Sequence, residues 1–392
     1  MKKEFLLLLC AVTAFADSSS VLSPAKKEIL DLKREQILRD QSASQTSWLS
    51  PLNLSASLTK NKSANNVDSD TKSAGVSWSQ DLFRSGGIYY TVKNANATAQ
   101  SGLLGIDKEE YTYLKQIYTY KAQIERDRLA LEQKKFSLKN YEIDLFIIQA
   151  KYKVGSADIS ELNQAVINKE SARDAVVTLQ TTLENETYEL KKLIGDHNLE
   201  TIELPTISDI TKEDYLANNI ELLQYVQNDI VYETSWKNTR SSYLPKLTLN
   251  ASYAHQEYNS DTTDYTGDPY SYGLTLSMPL DFNSLDTTES KRLQFLQTKS
   301  SQNDRMLELQ QEYDKYQSNI KNYEEKIKIA NEMTKMYTEL YDFTKQQVKS
   351  GFKSTYDEES LANSLKIQEL EKKIQNYNII IQKISLYFDM RH

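Results

Sequence analysis

Leu52-Asn53-Leu54-Ser55-Ala56-Ser57, just after Pro51, returns as Leu247-Thr248-Leu249-Asn250-Ala251-Ser252, just after Pro245. The offset is 195 residues (247 − 52). Farther along, Lys153-Val154-Gly155-Ser156 returns as Lys349-Ser350-Gly351-Phe352 with an offset of 196 (351 − 155), each time between two long helical stretches. Self-similarity of this kind takes precedence over local patterns, because it means that one supersecondary unit is written twice. Each copy reads as helix, strand, polar loop, strand, very long helix, glycine turn and shorter helix.

The strands alternate with period two. Leu52, Leu54, Ala56 and Leu58 share one face, and Asn53, Ser55, Ser57 and Thr59 share the other. Ala74, Val76 and Trp78 oppose Ser77 and Ser79. In the second copy Leu247, Leu249, Ala251 and Tyr253 oppose Thr248, Asn250 and Ser252, and Tyr270, Tyr272, Leu274, Leu276 and Met278 oppose Ser271, Gly273, Thr275 and Ser277. The polar face holds small uncharged residues, as expected where one face meets a watery lumen and its alternates meet lipid or a core. Alternation alone also fits a soluble sheet lying on a core. Two hairpins between very long helices, however, have no further element to complete a sheet, and an open edge does not survive in lipid. The strands, 52–60, 73–81, 247–257 and 270–278, are therefore expected to close by oligomerisation. The stretches Lys62 to Lys72 and Asn259 to Pro269 read as solvated hairpin loops.

Only 10 Gly and 6 Pro occur in 392 residues, too few breaks for several globular domains, so long helices are expected. From Ile88 to Lys151 there is no proline, and at about 1.5 Å per residue such a helix reaches roughly 96 Å. Ile117, Tyr120, Ile124, Leu131, Leu138, Tyr141, Leu145, Ile148 and Tyr152 follow steps of three and four, with Asp127 and Lys134 as the misfits. The second copy is stricter, running from Leu309 through Tyr313, Tyr316, Ile320, Tyr323, Ile327, Ala330, Thr334 and Tyr337 to Tyr341. A neighbouring seam, Ile329, Met333, Met336, Leu340 and Phe343, predicts contact with a second neighbour, as in a ring of helices.

Met1-Lys2-Lys3-Glu4, the apolar run Phe5 to Val12 and Ala14-Phe15-Ala16 read as a secretory leader removed after residue 16. Cys10, the only cysteine, lies inside it, so neither disulfides nor thiolate chemistry is expected in the mature chain. No stretch beyond the leader approaches the roughly 18 to 20 apolar residues of a membrane helix. The net charge of −8 is spread among mixed acids and bases, with no basic block, so nucleic acid is not an expected partner.

With the repeat and hairpins in place, further motifs carry a resemblance. Arg240-Ser241-Ser242-Tyr243-Leu244-Pro245 leads into a strand, Leu276-Ser277-Met278-Pro279-Leu280-Asp281 leaves one, and Gln80-Asp81-Leu82-Phe83-Arg84-Ser85-Gly86-Gly87 is its counterpart in the first copy. Leu190-Lys191-Lys192-Leu193-Ile194-Gly195 closes a helix. Over about residues 21 to 390 the chain resembles the TolC family of outer-membrane efflux proteins. The resemblance implies an α+β membrane protein whose duplicated unit gives a trimeric transmembrane β-barrel, four strands per protomer, continued by a long periplasmic α-helical coiled-coil barrel. It also implies the partners: a homotrimer in outer-membrane lipid, a periplasmic adaptor (membrane fusion protein) and an inner-membrane transporter, in efflux or type I secretion. The expected organisation is a signal peptide at 1–16, a first repeat at 17–195, a linker at 196–211 and a second repeat at 212–392. The first repeat comprises a short helix from Ala25 to Arg39, shorter than the family's usual lead-in, then a β-hairpin at 52–81, helix 88–151, a tip turn at 155 and helix 159–194. The second comprises helix 212–242, β-hairpin 247–280, helix 285–349, a tip turn at 351 and helix 356–388.

The resemblance makes Val154-Gly155-Ser156 and Ser350-Gly351-Phe352 the periplasmic tips that meet an adaptor. After each turn the spacing suggests a capping box, Asp158 with Glu161 and Thr355 with Glu358. The family often has an acidic ring at the pore entrance, which Glu161 with Asp357 or Glu358 could supply; helix capping is the competing reading, and Lys349 and Lys353 stand nearby. His197, His255 and His392 are too scattered for a metal site, and no phosphate loop, nucleophile elbow or paired cysteine occurs. No catalytic residue and no cofactor is expected. A periplasmic coiled-coil adaptor or scaffold without a pore is the alternative, but adaptors carry one helical hairpin and separate β-domains, whereas this pattern is tandem.

Overall fold

The computed structural model describes residues 21–62, 68–260 and 263–391. The expected leader, with Cys10, lies outside them. Twelve principal elements follow in order: α1 (Pro24–Gln45), β1 (Asn53–Lys62), β2 (Asp68–Phe83), α2 (Gly87–Lys153), α3 (Ile159–Ile194), α4 (Lys212–Asn218), α5 (Ile220–Ser242), β3 (Lys246–Ser260), β4 (Asp264–Gly267), β5 (Tyr270–Ser277), α6 (Ser284–Lys349) and α7 (Thr355–Tyr387). The chain divides into two compact units, each drawing on both halves of the sequence. One comprises the start of the chain to Asp31, Asp107–Ile220 and Met306–His392; the other comprises Leu32–Ile106 and Glu221–Arg305.

The second unit contains the sheet. β1 pairs β2, β2 pairs β3, and β3 pairs both β4 and β5, all antiparallel. The two hairpins are thus not isolated, as their sequence suggests. β2 and β3 zip together from Ser69↔Ser260 to Phe83↔Leu247, leaving β1 at one edge and β4 with β5 at the other. The strands also run farther than expected, and the fourth is interrupted: β4 and β5 pair β3 in one register (Gln256↔Gly267 and Tyr253↔Tyr270) and count as a single strand broken at Pro269. Residues 68–72 and 264–267, read as loop from their polarity, belong to β2 and β4. Directly opposed charges explain the first extension: Lys60 faces Asp70 at 3.5 Å and Lys62 faces Asp68 at 3.8 Å, so polar residues satisfy one another across the ladder. Pro269 lies between β4 and β5, where a residue without an N–H cannot donate to β3.

The register places side chains of one kind in rows. Leu54, Val76, Tyr253 and Tyr270 stand opposite one another across four strands, and Trp78, Ala251 and Tyr272 across three. On the other face Ser79 donates to Asn250 Oδ1 at 2.7 Å, Asn250 Nδ2 donates to Thr275 at 3.1 Å, and the Thr248 hydroxyl donates to Asp81 at 2.7 Å. These rungs satisfy one small polar face. The apolar face has no core beneath it: Leu54 is 84% exposed and Tyr272 81%. Gln80 is a polar residue on this face, opposite Leu249, and it is buried where Ser50 N donates to its Oε1 and its Nε2 donates to the carbonyls of Trp48 and Asp81.

The helices of this unit meet through small residues and amides. Ala95, Ala97 and Ala99 on α2 are buried. Asn94 Nδ2 donates to the Val231 carbonyl and to Thr234, and Ser101 donates to Asn228, all on α5. Short side chains let the helix backbones approach, and the amides then replace the water that is excluded. α1 is longer than expected, reaching Gln45, because Gln41 and Gln45 both bond Asn96 of α2.

In the other unit the heptad seams form the core over part of their length, while Tyr141 and Tyr152 of the α2 seam, toward the tip, are exposed. Ile117, Ile124, Leu309 and Ile320 are buried, as are Leu190, Leu370 and Ile384 on the partner helices. The neighbouring seam behaves differently: Ile329 (53%), Met336 (44%) and Phe343 (59%) remain exposed on the single chain. The helix expected over 212–242 breaks at Asn219. Ile220 N donates to the Asp389 carbonyl and Arg391 N to the Asn218 carbonyl, so the C-terminal segment takes the backbone groups that a continuous helix would have used. α4 is capped by Thr211, whose hydroxyl accepts from Asp214 N.

Candidate functional site: the two helical turns

Both long helices end in the same way. Gly155 has φ +75° and Gly351 φ +76°, the left-handed region that glycine adopts without steric penalty. Gly155 N donates to the Tyr152 carbonyl and Ser156 N to Lys151; Gly351 N donates to Val348 and Phe352 N to Gln347. This paired pattern is a Schellman motif, which satisfies two carbonyls left over at the helix end. Its occurrence at two positions 196 residues apart fixes the register of the helices on either side. A Cβ added at Gly155 or Gly351 would meet nothing within 4 Å, so the backbone angle is what demands glycine there.

What the turns present outward is apolar. Val154 is 76% exposed, Phe352 82% and Ile159, in the first turn of α3, 64%. Ile159 is absent from the residues expected at the tips, although its place just after the turn could have suggested it. Behind the second tip Tyr356 packs on Phe146, with ring centroids 4.9 Å apart. Apolar side chains this exposed, on turns closed by backbone hydrogen bonds, suit a protein surface.

The acids divide by role. Asp158 is the N-cap of α3 and accepts the Glu161 N–H at 2.8 Å, which leaves the Glu161 carboxylate exposed. In the second copy the expected box of Thr355 with Glu358 gives way to Ser354 with Asp357, one residue earlier. The Ser354 hydroxyl accepts from Asp357 N at 3.2 Å, and Asp357 Oδ2 takes the Ser354 N–H at 3.0 Å. Ser354 and Asp357 stand at the same spacing as Thr355 and Glu358, and the helix begins so that the earlier pair forms the cap. The Ser354 hydroxyl, which also donates to Asp357 Oδ2 at 2.8 Å, and then the Ser354 N–H hold the Asp357 carboxyl below its usual range, with a smaller contribution from Lys353 at 4.0 Å. Glu358 lies 3.4 Å from the Tyr341 hydroxyl. Lys151, Lys153 and Lys349 occupy the preceding helix ends, so each turn sets cations at a C-terminus and acids at an N-terminus, as the helix dipoles favour.

Among the described residues no group of three or more His, Cys, Asp or Glu side chains is placed to hold a metal ion, and no helix is long and apolar enough to cross a membrane. The sequence model of a family described as outer membrane efflux protein matches residues 31–196 and 212–388. No curated protein matches significantly. Solved structures do. The outer membrane protein VceC from Vibrio cholerae is 14% identical with a TM-score of 0.73, covering 93% of each chain. A membrane protein from Pseudomonas aeruginosa is 13% identical with a TM-score of 0.73, over 95% of this chain and 91% of that one. The Campylobacter jejuni CmeC outer membrane channel is 14% identical with a TM-score of 0.70, over 95% and 84%. The fold is shared along nearly the whole length.

Proposed function

Because the chain belongs to the outer membrane efflux protein family, we propose that three copies close one twelve-stranded barrel and that the assembly is the exit duct of a tripartite efflux or type I secretion system. The observation that carries this reading is the sheet. β1 on one side and β4 with β5 on the other leave open edges, and the apolar face between them is exposed with no core beneath it. In lipid every backbone donor and acceptor must be paired, so edge must meet edge on a neighbouring copy. The exposed seam of Ile329, Met336 and Phe343 gives the helices a second face for the same neighbour. Passage through such a duct requires binding and gating and no bond chemistry. A pore-less adaptor would have no use for four strands with a lipid-like face. Purified protein reconstituted in a planar bilayer tests the reading: discrete conductance steps support it, and a protein that never conducts contradicts it.

Adaptor docking is assigned to Val154, Gly155, Ser156, Ser350, Gly351 and Phe352, supported by the matching turns and their exposed apolar side chains. Valine at both Gly155 and Gly351 is expected to abolish transport in cells while a folded oligomer still reaches the membrane. Full transport by the double variant would remove the turns from the docking surface.

An acidic entrance ring is assigned to Glu161 and Glu358, with Asp357 fixed in its cap. Like charges confined in a narrow opening repel and favour cations. Glutamine at Glu161 and Glu358 is expected to reduce cation preference in a planar bilayer with little loss of stability, since both N-caps remain. Unchanged selectivity would leave these residues with purely structural roles.

A further inference from the structure

Asp127 interrupts the heptad seam of α2, yet it is only 4% exposed. Arg126 Nε donates to its Oδ1 at 2.6 Å. Glu186, across the hairpin on α3, stands at 3.9 Å from Arg126 Nη2, beyond hydrogen-bonding distance, and its Oε2 is buried without a partner. Two sequestered carboxyls therefore share one guanidinium, which is already committed to the first of them. A surplus buried negative charge is costly, and the simplest ion that can cancel it is a proton.

The repeat supplies an internal comparison. With the offset of 196 fixed by the glycine turns, Arg126, Asp127 and Glu186 correspond to Asn322, Tyr323 and Gln382. The second hairpin has no charge at these positions; Gln382 there simply accepts a bond from Asn319 at 3.1 Å. The two hairpins of one protomer thus differ in chemistry at equivalent places.

We propose that Asp127 and Glu186 are a proton-binding pair that holds α3 against α2 while one proton is bound and loosens the first hairpin, but not the second, when that proton leaves. Atoms balance simply: Glu186 releases its proton to water and becomes a second carboxylate beside Asp127. The charged groups acting on Glu186 are Asp127 and Arg126 on α2, and Tyr323 on α6 acts on Arg126. Burial first, then the Asp127 charge, push the Glu186 carboxyl up to about 7, against the opposing pull of Arg126. Its folded value lies above the unfolded one, so the stabilising effect is fully present below about pH 4.5 and is lost as pH rises through about 7. This inference does not depend on the duct reading, because it concerns one hairpin of one chain.

Hydrogen exchange on the intact protein in detergent tests it, with rates corrected for intrinsic pH dependence. Between pH 5 and pH 8 the amides around Asp127 and Glu186 are expected to lose protection by about tenfold or more, while those around Tyr323 and Gln382 keep theirs. Glu186→Gln, which copies the second hairpin, is expected to remove the pH dependence and keep protection high. Asp127→Asn is expected to move the transition to lower pH, because the neighbouring charge is gone and Arg126 is free to turn to Glu186. Should Glu186→Gln fail to fold, the wild-type protein decides the matter by infrared spectroscopy, through a carboxylic-acid band that persists at pH 6 and vanishes by pH 9. The proposal is overturned if Glu186→Gln retains the wild-type pH dependence, if Asp127→Asn leaves the transition in place, if both hairpins loosen together, or if no such band is present.

Discussion

Lysine at Leu54 or Leu274 is expected to prevent the protein from accumulating in the outer membrane, whereas lysine at Ser55 or Thr275 is expected to be tolerated. Each pair of positions differs by one residue along a strand, and a period of two carries them to opposite faces. Leu54 and Leu274 lie on the exposed apolar face, where a charge at mid-depth in lipid costs about 2 to 4 kcal/mol per chain. Thr275 belongs to the polar face, where its hydroxyl already accepts a bond from Asn250. The check is the amount of heat-resistant oligomer in outer-membrane fractions of cells producing each variant. Equal loss at all four positions would mean that the two faces do not differ in their surroundings.

A comparably large effect is expected at Gly75, where β2 and β3 join the two hairpins. A Cβ there would lie 2.9 Å from the Ala254 Cβ and 2.9 Å from the Tyr253 carbonyl oxygen. The second atom is backbone, so relief requires the strands to separate, and overpacking of this kind costs about 1 to 3 kcal/mol or more. On its other side β3 keeps one register against β5 and β4, with Ala254 N donating to the Pro269 carbonyl at 2.9 Å, so β3 is held from both sides at this point. Gly75→Leu is expected to give protein that is secreted but does not assemble, whereas Gly273→Ala, with nothing within 4 Å of the added atom, assembles normally. Oligomer formed by both variants alike would show that the β2–β3 junction accommodates bulk.

These strands show what the sequence carries and what it does not. Alternation along a strand is local, so the faces of Leu54, Val76, Leu249 and Leu274 are readable from their neighbours. The pairing of Val76 with Tyr253 links residues far apart in the chain, and nothing near either residue announces it. The same holds for the break at Asn219, which follows from bonds made by Asp389 and Arg391. Turn chemistry lies between these cases. Gly155 and Gly351 identify themselves, yet Thr355 with Glu358 and Ser354 with Asp357 offer the same spacing, and only the start of α7 selects the second pair. At the tips the glycines were legible as breaks, while the exposure of Ile159 depended on where α3 begins. Asp127 was visible only as a flaw in a seam. Its partners, Arg126 and Glu186, emerged once the hairpin was folded.

The central claim is that one chain supplies one third of a closed barrel, and the mass of the native particle tests it most directly. Native mass spectrometry of the protein extracted from outer membranes in detergent should give three times the mass of the mature chain, with no significant monomer. A stable monomer, or a particle of two chains, would contradict the account, because β1 and β5 would then have found their partners in some other way.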